Sequence, residues 1–122
     1  MIKYLLILLT PLYLMSQSDY TCKIHEVSNS FYKPLINESF NLERKTGVMS
    51  GALRNDYVTK PNIIDMGGKD NSYKVVTTLT TNQGYGKGSN VHVLIVDEYV
   101  KTDSKPFVYL WNSDIFTGIC EY

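Results

Sequence analysis

The chain has 122 residues, and its 12 lysine and arginine side chains balance 12 aspartate and glutamate side chains, so the formal net charge is zero. This length corresponds to a single ordinary domain. No run of like charges exceeds two residues. The composition therefore argues against a nucleic-acid binder, which needs a basic stripe, and against a basic amphipathic segment lying on a membrane surface.

The first segment predicts a cleavable export signal over residues 1–18. Lys3 gives a positive start, residues 5–15 form an apolar run, and Ser16 and Ser18 are small residues typical of a cleavage site. As a helix, the apolar run would rise about 16 Å, well short of the roughly 30 Å hydrocarbon core of a bilayer. We expect cleavage after Ser18, with Ser16 as the alternative, and no membrane span afterwards. The mature chain is then periplasmic or secreted.

Two cysteines, Cys22 and Cys120, lie near the two ends of the predicted mature domain, residues 19–122. In an oxidising compartment a small domain commonly gains stability from a disulfide, so we expect these two cysteines to pair. The alternatives are two separate buried thiols or, less favoured, a metal site. His25 is the only histidine near either cysteine, and the spacing matches no zinc motif, so no metal is expected.

The mature chain shows strand patterns almost throughout. Phe40 and Leu42 alternate with polar residues, and the dipeptide at Thr46 and Gly47 predicts a hairpin turn. The segment 91–100 begins apolar on both faces, which predicts a central strand covered on both sides. The predicted strands are residues 20–27, 39–45, 48–53, 63–66, 72–81, 91–100, 107–111 and 115–121. The predicted fold is an all-β domain of seven or eight antiparallel strands, a small barrel or sandwich closed by one disulfide.

Three glycines in the segment TTNQGYGKGSN, residues 80–90, raise the question of a phosphate-binding loop. Such loops lead directly into a helix, whereas this segment leads into VHVLIV, which has the composition of a strand. We therefore predict a hairpin tip. Tyr85 and Lys87 at this tip, and Tyr57 in the predicted loop 55–62, are the predicted binding residues, because exposed aromatic and cationic side chains on loops often contact partners.

A catalytic constellation is not evident in the sequence. His25 and His92 each lie within a predicted strand, where packed or surface histidines are more common than general bases. Ser50 does not fit the Gly-x-Ser-x-Gly pattern, and neighbouring Asp97 and Glu98 would point to opposite faces of a strand. We expect no enzyme activity and no cofactor, with a small hydrolase as the alternative.

Three local patterns resemble small exported bacterial proteins that carry one disulfide between the two ends of the chain. They are FNLERKTG at 40–47, VDEY at 96–99 followed by KPF at 105–107, and FTGIC at 116–120. The resemblance spans most of the mature chain. It implies a disulfide-closed β domain outside the cytoplasm and transfers no functional residue.

A second resemblance is to periplasmic inhibitors of C-type lysozyme. Their start is similar to YTC at 20–22, which they tie to a cysteine near the end, and SGA at 50–52 followed by Tyr57 is similar to their Ser-Gly-x-x-Tyr loop. Here the tyrosine lies further along the chain, and their later Trp-x-Lys-Gly element is missing. The sequence thus favours a non-catalytic exported domain that binds an extracytoplasmic protein, glycan or small molecule. Lysozyme inhibition and envelope assembly are the alternatives.

Overall fold

The structure, a computed structural model, describes residues 19–55, 60–83 and 86–122, and their side chains except at 81–83 and 86–87. The described chain contains eight strands and one 3₁₀ helix, Ser30–Leu35. The strands are β1 Asp19–Val27, β2 Ser39–Glu43, β3 Val48–Gly51, β4 Asn62–Met66, β5 Tyr73–Gln83, β6 Gly86–Val96, β7 Lys105–Trp111 and β8 Asp114–Glu121. The predicted signal at 1–18 lies outside the described residues.

The eight strands form one antiparallel sheet in the order β3-β2-β1-β8-β7-β6-β5-β4. The sheet curls into a half-barrel whose inner face holds the core. This confirms the predicted all-β antiparallel class and decides between its two forms, since the strands belong to one curled sheet rather than two stacked sheets.

Alternation along each strand divides the side chains between the core and the outer surface. In β2, Phe40 and Leu42 are buried, whereas Asn41 and Glu43 are exposed. The same period of two places Leu94 and Val96 of β6 in the core. Packing is dense where β1 and β8 meet: a Cβ added to Gly118 would lie 1.9 Å from the Lys23 carbonyl oxygen, so only glycine fits there.

The largest differences from the predicted strand boundaries lie in β6. The expected loop at 82–90 is wrong, because the β5–β6 ladder continues to the pair Gln83 and Gly86. Gly86 and Gly88 lie within β6, whereas the prediction placed them in the hairpin tip that precedes the strand. β6 ends at Val96 rather than Val100, and Asp97 and Glu98 lie in the following turn.

The two sheet edges lie at β3 and β4, and a side chain covers part of the β3 edge. The buried side chain of Asn55 hydrogen-bonds to the β3 edge as the backbone of a neighbouring strand would. Its Oδ1 accepts the Met49 N–H at 2.7 Å, and its Nδ2 donates to the Gly47 carbonyl at 2.8 Å. Gly47, with φ of 81°, lies against Val75 across the gap. These contacts satisfy edge groups that would otherwise invite another strand.

The predicted disulfide is present between Cys22 and Cys120, which are direct cross-strand partners in β1 and β8. Both cysteines are fully buried. The bond joins two positions separated by 98 residues and so closes nearly the whole described domain into one loop. Such a bond is typical of proteins in a non-reducing compartment.

Candidate functional site

The predicted binding residues receive no structural test. Tyr57 and Tyr85 lie outside the described residues. Lys87 belongs to the backbone of β6, opposite Asn82, but its side chain is outside the described part. The assignment of these three residues therefore stays a prediction. Other candidate sites lie on the described surface.

One prediction about β6 is wrong, and the error reveals an unusual surface. The inner face of β6 lies in the core, as expected. Its outer side chains, Val93 and Ile95, are only half-buried, and Val91 is 41% exposed. The reason is that none of the described elements packs as a second layer on the outside of the sheet. An apolar strand of this kind predicts cover on both faces, but the single curled sheet supplies it on one.

Neighbouring strands continue this apolar surface. Cross-strand pairing places Val76, Val93, Leu110 and Ile115 in one row across β5, β6, β7 and β8. We call the whole surface the outer apolar face. Its members are Val76, Val91, Val93, Ile95, Pro106, Val108, Leu110, Ile115 and Ile119.

The outer apolar face contains no charged side chain, and only Thr78 and Thr117 interrupt it with hydroxyl groups. Charged residues stand at its rim, with Lys74 on the β5 side and Glu26 on the β1 side. Contiguous apolar surface rimmed by polar residues is characteristic of interaction sites in soluble proteins. The apolar composition of residues 91–96 predicted a strand. Whether both faces of that strand are covered depends on which elements pack against it.

A second cluster, which no sequence pattern predicted, lies at one end of the half-barrel. The Arg44 guanidinium makes two hydrogen bonds to the Glu98 carboxylate, each 2.8 Å long, and Nη2 also donates to the Met66 carbonyl. Glu98 is almost fully buried, and its Oε2 also accepts the Tyr20 hydroxyl at 2.7 Å. The Tyr73 hydroxyl donates to the Arg44 carbonyl at 2.6 Å.

Burial sets the proton affinities in this cluster. It raises the pKa of the Tyr20 hydroxyl, with further increases from its hydrogen bonds to Tyr122 and Glu98. It also raises the pKa of Tyr73 to about 12, against an opposing effect of Arg44. The Glu98 carboxylate raises the pKa of Arg44 above its already high value. All three groups therefore keep their protons at neutral pH, and the cluster joins the β2–β3 turn to β4 and to the turn after β6.

A third cluster surrounds buried His92 on the inner face. His92 Nδ1 shares a hydrogen bond with the Tyr109 hydroxyl, and the imidazole stacks on Trp111 with ring centroids 5.5 Å apart. Tyr109 also donates to the Arg54 carbonyl at 3.3 Å. Burial lowers the pKa of His92, so the imidazole stays neutral at neutral pH. The ring packs within the core, as the sequence favoured.

This burial predicts a dependence of stability on pH. The unfolded chain binds a proton at His92 near pH 6.5, whereas the folded chain binds it only at lower pH. Between these two values the unfolded state holds more protons, so stability falls by about 1.4 kcal/mol for each unit of decreasing pH. We expect denaturant unfolding from pH 7.5 to 5 to show this slope in the wild type and a smaller one in His92→Gln.

The other histidine provides the matched control for this experiment. His25 is exposed on β1, outside the core. His25→Gln is therefore expected to keep the wild-type slope. Equal slopes in the wild type and in His92→Gln would contradict the assignment of the pH dependence to His92.

Two surface depressions among the described residues have mixed polar and apolar linings. They measure about 500 Å³ and about 410 Å³ and share Thr21 and Tyr122. The Tyr122 ring, 64% exposed, stacks on buried Tyr20 with centroids 4.5 Å apart. The exposed hydroxyl, amide and charged groups of the lining, such as Ser39, Asn41 and Lys23, could hydrogen-bond a small polar ligand. The buried hydroxyl of Tyr20 is already hydrogen-bonded to Glu98 and Tyr122.

The described residues give no metal site, and known proteins give no match to the chain. In the described ranges, no three His, Cys, Asp or Glu side chains converge as metal ligands. Nor does any helix there have the length and hydrophobicity needed to traverse a bilayer. Comparison of the chain with protein-family models, curated proteins and solved structures found no match.

Proposed function

We propose that this chain is a non-catalytic binding domain that is exported to a periplasm or out of the cell and holds a partner protein through the outer apolar face. The observation that carries the proposal is the row of aliphatic side chains from Val76 to Ile115, solvent-facing on the outside of the sheet. The buried disulfide and the signal-like segment at 1–18 support export.

The chemistry of the face favours a protein partner over a glycan. Its valine, isoleucine, leucine and proline side chains carry no hydrogen-bonding group, and no aromatic ring lies among them on which a sugar could stack. Covering such side chains contributes about 25 cal/mol for each Å² of apolar area removed from water. An apolar centre with a polar rim is also the usual arrangement of protein interfaces.

Photo-crosslinking in the native cell tests the proposal. Ile115 is 41% exposed at the β8 end of the central row of the outer apolar face, whereas Asn41 is exposed on the outer side of β2 and so provides a matched control. With p-benzoylphenylalanine in place of Ile115 in the full chain, we expect irradiation to give defined higher-mass products. The same residue in place of Asn41 should give few. Equal yields at the two positions would overturn the proposal.

A further inference from the structure

We infer that the partner of the outer apolar face is a second copy of this chain, packed face to face about a twofold axis that runs along β7. The inference rests on the proposed function, because it names the occupant of the same surface. It draws on the arrangement of charge around the face, on the absence of charge within it, and on its area.

The first argument is desolvation. Any partner that covers the outer apolar face must itself present an uncharged surface there, because a buried charge without a partner costs several kcal/mol. The outer apolar face of a second copy is a surface of this kind. Two copies of it satisfy this condition for each other, and strongly apolar interfaces are characteristic of homodimers.

The second argument is the order of charges along one row of the sheet. Lys74, Ile95, Val108, Thr117 and Glu26 are successive cross-strand partners on β5, β6, β7, β8 and β1. Over these five strands a base stands at one end of the row, an acid at the other, and Val108 at the middle, while Asp65 on β4 pairs with Lys74 at 3.8 Å beyond that end. A twofold axis along β7 exchanges the two ends, so Lys74 of each copy comes opposite Glu26 of the other.

The adjacent row also carries opposite charges at its two ends. Asp97 donates its N–H to the Pro106 carbonyl at 2.9 Å. Pro106 pairs with Ile119, and Ile119 pairs with Lys23 on β1. The same axis places Asp97, at the end of β6, opposite Ile119 of β8 in the other copy, with Lys23 of that copy one strand further out. This row therefore brings Asp97 and Lys23 to neighbouring strands, whereas the Lys74 row brings its charges directly opposite each other.

The area sets the expected strength. Each of the nine side chains of the outer apolar face occupies about 4.8 Å across the strands and about 6.8 Å along them, which gives an apolar centre of roughly 300 Å² in projection. A standard interface buries about 800 Å² on each partner, so the rim charges must lie inside the contact. The curl of the sheet limits how far the contact extends. We therefore expect a dimer that dissociates in the micromolar range, at the lower end of interface sizes.

Sedimentation equilibrium of the purified oxidised protein, up to about 500 µM, tests the inference at the concentrations expected of a small interface. The wild type should dimerise, and Leu110→Lys, which places a charge at the centre, should stay monomeric. Lys74→Glu and Glu26→Lys should each weaken the dimer about tenfold, because each creates like-charge pairs at both ends of the contact. The double variant Lys74→Glu with Glu26→Lys should restore wild-type dimerisation.

Control variants and alternative outcomes make the result decisive. Asn41→Lys adds the same charge on another outer strand and should dimerise as the wild type does. The charge variants are at exposed or half-buried rim positions, so they test the arrangement even where Leu110→Lys does not fold. A monomeric wild type, a dimer unaffected by Leu110→Lys, or a double variant without rescue would each overturn the inference.

Crosslinking at position 115 separates this inference from the proposed function. A product of twice the chain mass supports the second copy. A product of any other mass overturns the dimer but leaves the face as a binding surface. The absence of products overturns both.

Discussion

Replacing both Cys22 and Cys120 with alanine is expected to lower the free energy of unfolding by about 2–5 kcal/mol. The bond closes a loop across 98 residues, and opening it gives the unfolded chain much more conformational freedom. Both cysteines are also fully buried, so the substitution removes packing. Because small domains have a total stability of only about 5–15 kcal/mol, the variant should approach the limit of folding at 37 °C.

Denaturant unfolding followed by circular dichroism measures this loss. The double alanine variant avoids a free thiol, and the wild type treated with a reductant provides an independent comparison that should lose a similar amount. A loss below about 1 kcal/mol, under the usual range, would mean that the β1–β8 ladder holds these strands without the bond.

Arg44→Met is expected to destabilise the fold by about 3–5 kcal/mol, the range for breaking a buried ion pair on one side. Glu98 is 4% exposed, and without Arg44 its carboxylate would keep only the Tyr20 hydroxyl among the donors described above. The link from the β2–β3 turn to the Met66 carbonyl would also be lost. Thermal or denaturant unfolding of dilute protein measures the change.

An exposed ion pair in the same sheet supplies the control. Lys74 and Asp65 lie 3.8 Å apart with side chains that are 39% and 34% exposed, so Lys74→Met should cost less than about 1 kcal/mol. The double variant Arg44→Met with Glu98→Gln should recover part of the loss, because a buried neutral amide costs less than a buried charge. Equal losses of stability in Arg44→Met and Lys74→Met would show that the buried ion pair stabilises the fold no more than the exposed one.

Gly67 adds to the case that the Glu98 cluster is closely packed. Its φ is 72°, and an added Cβ would lie 2.2 Å from Glu98 Oε1. A side chain at this position would therefore both strain the backbone and displace the carboxylate. The cluster constrains three turns at one end of the half-barrel and leaves the outer apolar face, on the other side of the sheet, free to bind.

Local alternation made most of the fold predictable. The alternation of apolar and polar residues along a strand indicates which side chains face the core. β2 could therefore be recognised from Phe40 and Leu42 alone. The ends of strands were harder to predict: Gly86 and Gly88 favour a loop by composition, yet pairing with β5 holds them in β6. The 3₁₀ helix Ser30–Leu35 was not predicted, because its segment has no strong period.

The candidate sites differ in how far they could be predicted from the sequence. Cys22 and Cys120 could be paired from their number and the inferred compartment. The Arg44–Glu98 pair could not, because its members are separated by 54 positions and meet only when the sheet curls. Asp97 and Glu98 also looked like strand neighbours, whereas they occupy a turn in which Glu98 points into the buried cluster.

The sequence by itself determined the class of fold, the inward residues of most strands and the covalent link, because each follows from local periodicity or from the number of cysteines. Only the tertiary structure decided that the strands form one sheet rather than two, and therefore that the outer side of β5–β8 lacks a covering layer in the described chain. An apolar side chain is more stable when it is covered from water. Its identity does not indicate whether the covering surface comes from the same chain or from another molecule.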